Sequence, residues 1–324
     1  MSLRAIVEAA RAAASDPALV APLMESTGLS RAGVELGLTK HLELSVTDEE
    51  LSALVDRTPK STRAHVILSA NVFVAALRAL VLARAAAPRV TVRPSRRDPV
   101  FARAIVERLA DPNLVELDAD VATIGEGEIH VYGRDETIAD VRRRAKVPVR
   151  GHGAGLGIAW IPSGAALDVT AAALADDVVA FDQRGCLSPR VVLVEDDPAR
   201  FGRALARALE DPARPARGRL DESERADAVR WASTVSFAGE LVEGETSMVG
   251  WSDSIVVPPS GRHVHVVPWR AGVLDELARF VVTVGSTSLE AARSVAPPHA
   301  RLALVGSMQR PPLDGPVDRR DPFG

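Results

Sequence analysis

Short apolar stretches alternate with helical ones through most of this sequence, and this alternation constrains the fold more than any other feature. Strands are predicted at 65–70, 89–93, 114–117, 129–132, 157–161, 190–195, 254–257, 263–267 and 280–284. Helices are predicted at 73–86, 98–110, 135–146, 165–180, 198–209 and 223–233. Strands separated by helices of this length are typical of βαβ units and a parallel sheet. The sequence therefore predicts an α/β fold.

Capping and turn residues divide the chain into three parts. About the first 60 residues are predicted to be helical, with Thr47 and Glu50 forming a capping box. Pro162-Ser163-Gly164 marks a join between two α/β regions. We expect a helical N-terminus and cofactor domain at 1–162, a catalytic domain at 163–305 and a C-terminal tail at 306–324.

Composition excludes several functional classes. The formal net charge is −4, so no overall basic field attracts the chain to nucleic acid. The longest apolar run, near 72–87, is broken by Arg78 and Arg84, and no membrane span is predicted. A single cysteine cannot form an internal disulfide. We expect a cytoplasmic homo-oligomer.

That cysteine, Cys186, lies between a predicted helix and a predicted strand, in the segment FDQRGCLSP at 181–189. A lone cysteine is most often a small buried hydrophobe. Here the flanks are polar, Arg184 is close in sequence, and Gly185 permits close backbone approach. A neighbouring cation and available backbone N–H groups favour the reactive thiolate.

The segment Asp-Gln-x-x-Cys-x-Ser-Pro resembles the catalytic loop of the LuxC-type acyl-CoA reductases, in the aldehyde dehydrogenase superfamily. Four further segments follow that family's order: 65–95 ending in Arg93-Pro94-Ser95, VYGRDETI at 131–138, Gly151-His152-Gly153, and GSMQRPP at 306–312. The resemblance spans nearly the whole chain, although the family's longer N-terminal region is missing. It implies a Rossmann-type cofactor domain plus a smaller α/β catalytic domain.

The resemblance also implies roles for particular residues. Cys186 is the nucleophile, and the amide of Asn71 joins the Cys186 N–H in an oxyanion hole, where preorganised donors stabilise developing charge. The alternative for Asn71 is a turn residue that satisfies its own backbone.

Cofactor-binding residues are expected after two strands. By resemblance Arg93 contacts the adenosine ribose, and with Ser95, Arg96 and Arg97 it forms a cluster suited to the 2′-phosphate of NADPH, NADH being possible. Gly133 and Thr137 lie at a strand-to-helix turn that offers N–H groups to a pyrophosphate. The alternatives are a solvated basic loop and an ordinary turn.

The glycine-rich segment 151–157 does not fit the dinucleotide fingerprint G-x-G-x-x-G. We interpret it as a flexible loop near the active site, with His152 and Gly153 as candidate residues. His152 is either a proton-transfer group or a packing residue. His263 and His265 share a strand face, but a third zinc ligand is not evident, so no metal is predicted.

One absence is informative. Hydrolytic aldehyde dehydrogenases carry a glutamate in the loop equivalent to 150–153, whereas no acidic residue occurs here between Lys146 and Asp168. An acyl-enzyme would lack that base, which favours transfer of the acyl group over hydrolysis.

The sequence therefore predicts an NADP-dependent reductase that converts an acyl-CoA, or another activated acyl substrate, to an aldehyde through an acyl-cysteine. One alternative is an acyl-phosphate reductase, which requires cations near Cys186. The other is a shortened, non-catalytic relative that binds nucleotide or a partner subunit.

Overall fold

The computed structural model describes residues 2–70 and 72–322. Its helices are α1 (Leu3–Ala14), α2 (Val20–Thr27), α3 (Arg31–Leu36), α4 (Asp48–Arg57), α5 (Ala75–Ala86), α6 (Val100–Leu109), α7 (Asp135–Arg144), α8 (Leu167–Val179), α9 (Pro198–Leu209), α10 (Glu222–Ala238), α11 (Val273–Leu277) and α12 (Leu289–Val295). Its strands are β1 (Arg63–Ile67), β2 (Arg89–Arg93), β3 (Leu114–Glu116), β4 (Glu128–Tyr132), β5 (Val149–His152), β6 (Leu156–Ile161), β7 (Pro189–Val194), β8 (Glu240–Glu243), β9 (Met248–Trp251), β10 (His263–Pro268), β11 (Val281–Ser286) and β12 (Arg301–Leu304).

The chain forms two compact units, the first comprising 1–27, 37–154 and 312–324, and the second 28–36 and 155–311. The sequence placed the division at 162. In the structure β6 is paired with β7 and β11, so this strand belongs to the second sheet and the division precedes it.

The first unit is built on a five-stranded sheet with the order β3-β2-β1-β4-β5, in which every pair is parallel. Its strand order reverses beside β1, as in other doubly wound sheets that bind ligands at their carboxyl ends. Apolar residues of β4 and β5 pack against α7, through Ile129, Val131 and Ile138.

The C-terminal segment 312–322 packs on this first unit. The N–H of Gly151 on β5 donates to the carbonyl of Pro322 at 2.9 Å, and Arg142 donates to the same carbonyl at 2.7 Å. Arg78 of α5 donates to the carbonyl of Pro312 at 2.7 Å. The segment therefore covers the outer edge of β5, which ends the sheet.

The second unit is built on a seven-stranded sheet with the order β12-β11-β6-β7-β10-β9-β8. Only the β8–β9 pair is antiparallel among these described strands. One face packs against α8 and α9, where Leu174, Phe201 and Leu205 are buried, and the other packs against α11 and α12. The cysteine-bearing unit thus holds the larger of the two sheets.

Three local predictions were wrong. The segment 151–153 is not a flexible loop at its start, because β5 runs through His152 and pairs with β4. Residues 254–257 form no strand; their chain is held instead by the N–H of Val256 donating to His265 at 3.0 Å. The helix predicted to begin at 98 begins at Val100, and the buried carboxylate of Asp98 accepts a hydrogen bond from Ser26 at 2.9 Å.

No helix among the described residues is long and apolar enough to cross a membrane.

Candidate active site

The loop that carries Cys186 follows a sharp backbone reversal at the end of α8. Phe181, Asp182 and Gln183 have φ values of 53°, 49° and 65°, in the left-handed region that non-glycine residues rarely adopt. Each such residue costs about 1–3 kcal/mol unless its surroundings hold it. Strong anchors must therefore fix this loop.

Asp182 is the first anchor. Its carboxylate pairs with Arg262 at 2.7 Å, and both side chains are only 2% exposed. It also accepts the backbone N–H of Gly218 at 2.9 Å. This buried carboxylate holds two distant segments against the reversal, and its ion pair with Arg262 favours a structural role over that of a base.

Gln183 is the second anchor. Its amide nitrogen donates to the carbonyls of Pro189 at 2.7 Å and His263 at 2.8 Å. Its amide oxygen accepts the N–H of His263 at 2.8 Å. The side chain thus ties the loop to the first residues of the neighbouring strands β7 and β10. The Asp-Gln pair of the sequence motif is structural, and it fixes the backbone that leads to Cys186.

Cys186 itself is partly buried. A turn, in which the N–H of Ser188 donates to the carbonyl of Gly185 at 3.1 Å, carries the chain into β7. A side chain on Gly155 would lie 3.2 Å from the Cys186 Cβ, and one on Gly157 would lie 2.4 Å from the Ser188 carbonyl oxygen. Gly157 is required because β6 begins directly against the cysteine loop, and Gly155 is required by the side chain of Val282, 2.2 Å from an added Cβ.

Two arginines lie close to Cys186 in sequence. Arg184, the one identified from the sequence, pairs with Glu224 at 3.3 Å and donates to the carbonyl of Arg219 at 2.9 Å. Arg190 is the arginine whose charge interacts with Cys186: burial lowers the pKa of Arg190, and the Cys186 charge raises it. The only sequence signal was an arginine directly after the Ser-Pro pair, at position 190.

The motif near the C-terminus forms a clamped turn. Asp177 of α8 accepts the N–H groups of Gly306 at 2.5 Å and Met308 at 2.9 Å. Burial raises the pKa of Asp177 to about 7, against these hydrogen bonds, which favour the carboxylate. The clamp fixes α8, and α8 leads directly into the cysteine loop.

The predicted adenosine-side residues line a cavity of about 610 Å³ at the carboxyl ends of β2 and β3. The side chain of Arg93 donates to the carbonyl of Ala119, and Ser95 accepts the N–H of Arg97 at 3.3 Å. Arg96 is exposed and lines the cavity, whereas Arg97 does not line it. Polar and charged side chains therefore line most of this cavity.

The acidic groups of this cavity are mostly neutralised. Glu116 is paired with Arg103 at 2.9 Å, and Asp120 with Arg144 at 2.7 Å. The remaining carboxylate, Asp118, has no ion pair among the described residues, nor has Arg96.

The turn after β4 has the predicted strand–turn–helix form. A side chain on Gly133 would lie 3.7 Å from the Thr137 Cβ, an ordinary contact, and Thr137 is exposed in the first turn of α7. Asp135, also in that turn, accepts the N–H of Ala154 at 3.1 Å, and its Oδ1 lies 2.3 Å from where a Gly153 side chain would start. A carboxylate therefore stands beside this segment after all, supplied by α7.

His152 is a packed residue. Its ring stacks on Tyr132 with centroids 4.4 Å apart, and its Nε2 has no hydrogen-bond partner among the described residues. Burial lowers the pKa of His152 to about 4, so the ring is neutral at physiological pH. Nearby Arg150 pairs with Glu128 at 2.8 Å.

The remaining predicted residues are the two histidines of β10 and Asn71. His263 lies 3.0 Å from the Ser260 carbonyl, and His265 lies 3.1 Å from the Ser252 hydroxyl. Within 2–70 and 72–322, no group of three side chains could hold a metal ion. Asn71 lies outside the described residues.

The fold is that of the aldehyde dehydrogenases. An oxidoreductase from Marinobacter aquaeolei has a TM-score of 0.76 with 13% identity, over 96% of this chain and 78% of that one. An NADP-dependent glyceraldehyde-3-phosphate dehydrogenase from Bacillus halodurans, complexed with NADP, has a TM-score of 0.71 with 14% identity, over 94% and 77%. An NAD-dependent benzaldehyde dehydrogenase from Corynebacterium glutamicum has a TM-score of 0.70 with 15% identity, over 94% and 80%.

Within that fold class the chain belongs to the acyl-CoA reductase (LuxC) family, whose model matches residues 33–308. No curated protein sequence matches it. The resemblance noted in the sequence is thereby confirmed, as is the α/β fold.

Proposed function

We propose that this protein reduces an acyl-CoA to an aldehyde through an acyl group carried on Cys186. The observation that carries the proposal is the construction of the cysteine loop. Its strained reversal is held by Asp182 and Gln183, so Cys186 is presented on fixed backbone in a chain of an acyl-CoA reductase family. Catalytic groups need this rigidity, because small displacements at the reacting atoms are costly.

The chain's own groups account for the acyl transfer. The Cys186 sulfur attacks the thioester carbonyl, and the oxygen gains negative charge. The amide of Asn71 and the N–H of Cys186 donate to that oxygen. The bond to the CoA sulfur then breaks, and CoA leaves as a thiolate that takes a proton from solvent, while the acyl group stays on Cys186.

A bound reduced nicotinamide supplies the hydride that the acyl carbon accepts. In this proposal Arg93, Ser95 and Arg96 hold the adenosine end, and the turn at Gly133 and Thr137 faces the phosphates. As the carbon–sulfur bond breaks, the aldehyde leaves and Cys186 is again a thiolate. We assign NADPH as the donor, because Arg96 is an unpaired cation of the cavity among the described residues, with NADH as the alternative.

The second candidate is reduction of an acyl phosphate. It requires a cation close to the nucleophile, and Arg190 is such a cation. Comparing turnover of one acyl group supplied as CoA thioester and as phosphate distinguishes the two substrates, and we expect the thioester to be preferred.

The nucleophile is tested by Cys186→Ser. Serine is nearly isosteric, but its hydroxyl is not ionised near neutral pH, so we expect reductase turnover to fall at least about a thousand-fold. Turnover is followed by NADPH absorbance, and circular dichroism checks that the variant is folded. A folded variant that keeps a tenth of the activity would contradict the acyl-cysteine mechanism.

A further inference from the structure

Arg190 stands at an irregularity in the second sheet. Gly157 of β6 is paired with Pro189 of β7, but the next residue, Ile158, is paired with Val191. Arg190 is therefore the extra residue of a bulge at the start of β7. A bulge leaves one residue out of register and redirects its side chain, and such features occur beside active sites. This one lies four residues after Cys186.

The two other arginines around the cysteine loop are already neutralised. Arg184 is paired with Glu224 at 3.3 Å, and Arg262 with Asp182 at 2.7 Å. Arg190 is partly buried, and within residues 2–70 and 72–322 no carboxylate pairs with it. A guanidinium withdrawn from water needs a counter-charge, and Cys186 is the group whose charge offsets the burial of Arg190.

The other titratable groups of the second unit do not supply that field. On β10, burial lowers the pKa of His263 to about 4, so its ring is neutral above that pH. Arg217 donates to the carbonyls of Thr246 at 2.8 Å and Gly261 at 3.5 Å. A side chain on Gly155, just before β6, would meet both the Cys186 Cβ and Val282 of β11, and neither Gly155 nor Val282 is charged.

We propose that Arg190 is the positioning residue that keeps Cys186 ionised, with the bulge of β7 as the device that aims its guanidinium at the sulfur. The interaction is reciprocal: a thiolate stabilises the buried cation, and the cation stabilises the thiolate. This proposal rests on the proposed function at one point: Cys186 needs to be ionised because it is the nucleophile.

The test uses the single cysteine of the chain, because alkylation by iodoacetamide at any pH then reports on Cys186 alone. The alkylation rate is measured against pH for the wild type, Arg190→Gln, Arg190→Lys and Arg184→Gln. Arg184→Gln is the matched control, since it removes a charge equally close in sequence that is already paired with Glu224.

We expect the wild-type midpoint to lie below the ordinary thiol value of about 8.5. Arg190→Gln should raise the midpoint by about one pH unit or more, and Arg190→Lys should restore most of the shift. Arg184→Gln should leave the midpoint where the wild type has it.

Two results would overturn the proposal. One is a wild-type midpoint at or above the ordinary value, which requires no variant to fold. The other is a folded Arg190→Gln with an unchanged midpoint, including the case in which only the KM for substrate rises, since Arg190 would then bind substrate. An ionised Cys186 in a protein without reductase turnover would instead count against the proposed function alone.

Discussion

Arg96 and Arg97 are adjacent, exposed and chemically identical, yet only Arg96 lines the cavity at the ends of β2 and β3. If the 2′-phosphate of NADPH binds there, Arg96→Ala should weaken NADPH binding about 10- to 100-fold, the value of one charge-assisted hydrogen bond. Arg97→Ala is the matched control and should have little effect. Fluorescence titration of the wild type and of both variants measures the affinity of each for NADPH and for NADH.

Asp118 provides the test of the alternative cofactor, NADH. An unpaired carboxylate after a strand of such a sheet can accept the ribose 2′-hydroxyl of NADH. The opposite outcome is that Asp118→Asn weakens NADH binding while Arg96→Ala leaves the affinities for NADPH and NADH unchanged. In that case the chain uses NADH, and Arg96 does not bind a 2′-phosphate.

Whether water hydrolyses the acyl group on Cys186 also depends on single residues. Enzyme mixed with acyl-CoA, without reduced cofactor, should release about one CoA per active site and then stall. Asp182 cannot supply a base, because it is buried and paired with Arg262. Steady release of free acid would contradict this expectation. If Asp135→Asn then stopped it, the carboxylate beside Gly153 would be the base.

For single residues, the sequence identified the important positions better than it identified their roles. Cys186 and the Asp-Gln pair before it were identified from the motif, but Arg184 was assigned to the cysteine because it is close along the chain. Its partner is Glu224 on α10, and only the folded chain brings them together. Arg190 could not be selected from the sequence, because a bulge has no signature there.

The cysteine loop depends on one buried ion pair. Asp182→Asn would leave the guanidinium of Arg262 buried without its partner, which costs about 3–5 kcal/mol. The control is Glu276→Gln, which breaks an ion pair of 2.8 Å whose side chains are about half exposed and should cost less than about 1 kcal/mol. Urea denaturation measures both free energies of unfolding. Equal losses would show that Asp182 does not hold the loop.

Elements were predictable where periodicity was strong. The bounds of β2 and α9 match the prediction, because RVTVR alternates and the helix 198–209 begins with a proline and is capped by Asp197, which accepts the N–H of Arg200. The strand β5 was missed because Gly151 and His152 suggest a loop. Its glycine is required by the Ile138 side chain, which would lie 2.6 Å from an added Cβ. Such packing contacts are tertiary and leave no local pattern.

For the whole molecule, histidines with lowered pKa values make stability depend on pH. Burial lowers the pKa of His152, His263 and His265 to about 4. Below about pH 6.5 the unfolded chain takes up protons that the folded chain does not, so the free energy of unfolding should fall between pH 6.5 and 4. Each histidine contributes at most about 1.4 kcal/mol per pH unit.

Asp177 acts in the opposite direction, because its raised pKa gives stability at low pH that is lost as the pH rises toward about 7. Burial also lowers the pKa of His65 and raises that of Asp98, one group in each direction. The histidines still outnumber the two carboxyl groups, which leaves a net loss of stability on acidification. Urea denaturation at half-unit steps measures the slope, and His265→Gln should reduce it. Stability that is constant or higher at pH 4.5 than at 6.5 would show that these rings are protonated in the folded state.

The segment 312–322 that covers β5 has a consequence for biosynthesis. The first unit is completed by residues that the ribosome adds only after the entire second unit. At about 5–20 residues per second, translation of that stretch takes roughly 10–30 seconds. Throughout this interval the outer edge of β5 offers unpaired backbone groups to any passing strand. A nascent chain of this protein should therefore bind chaperones until Pro322 emerges, and it should release them when the carbonyl of Pro322 reaches Gly151.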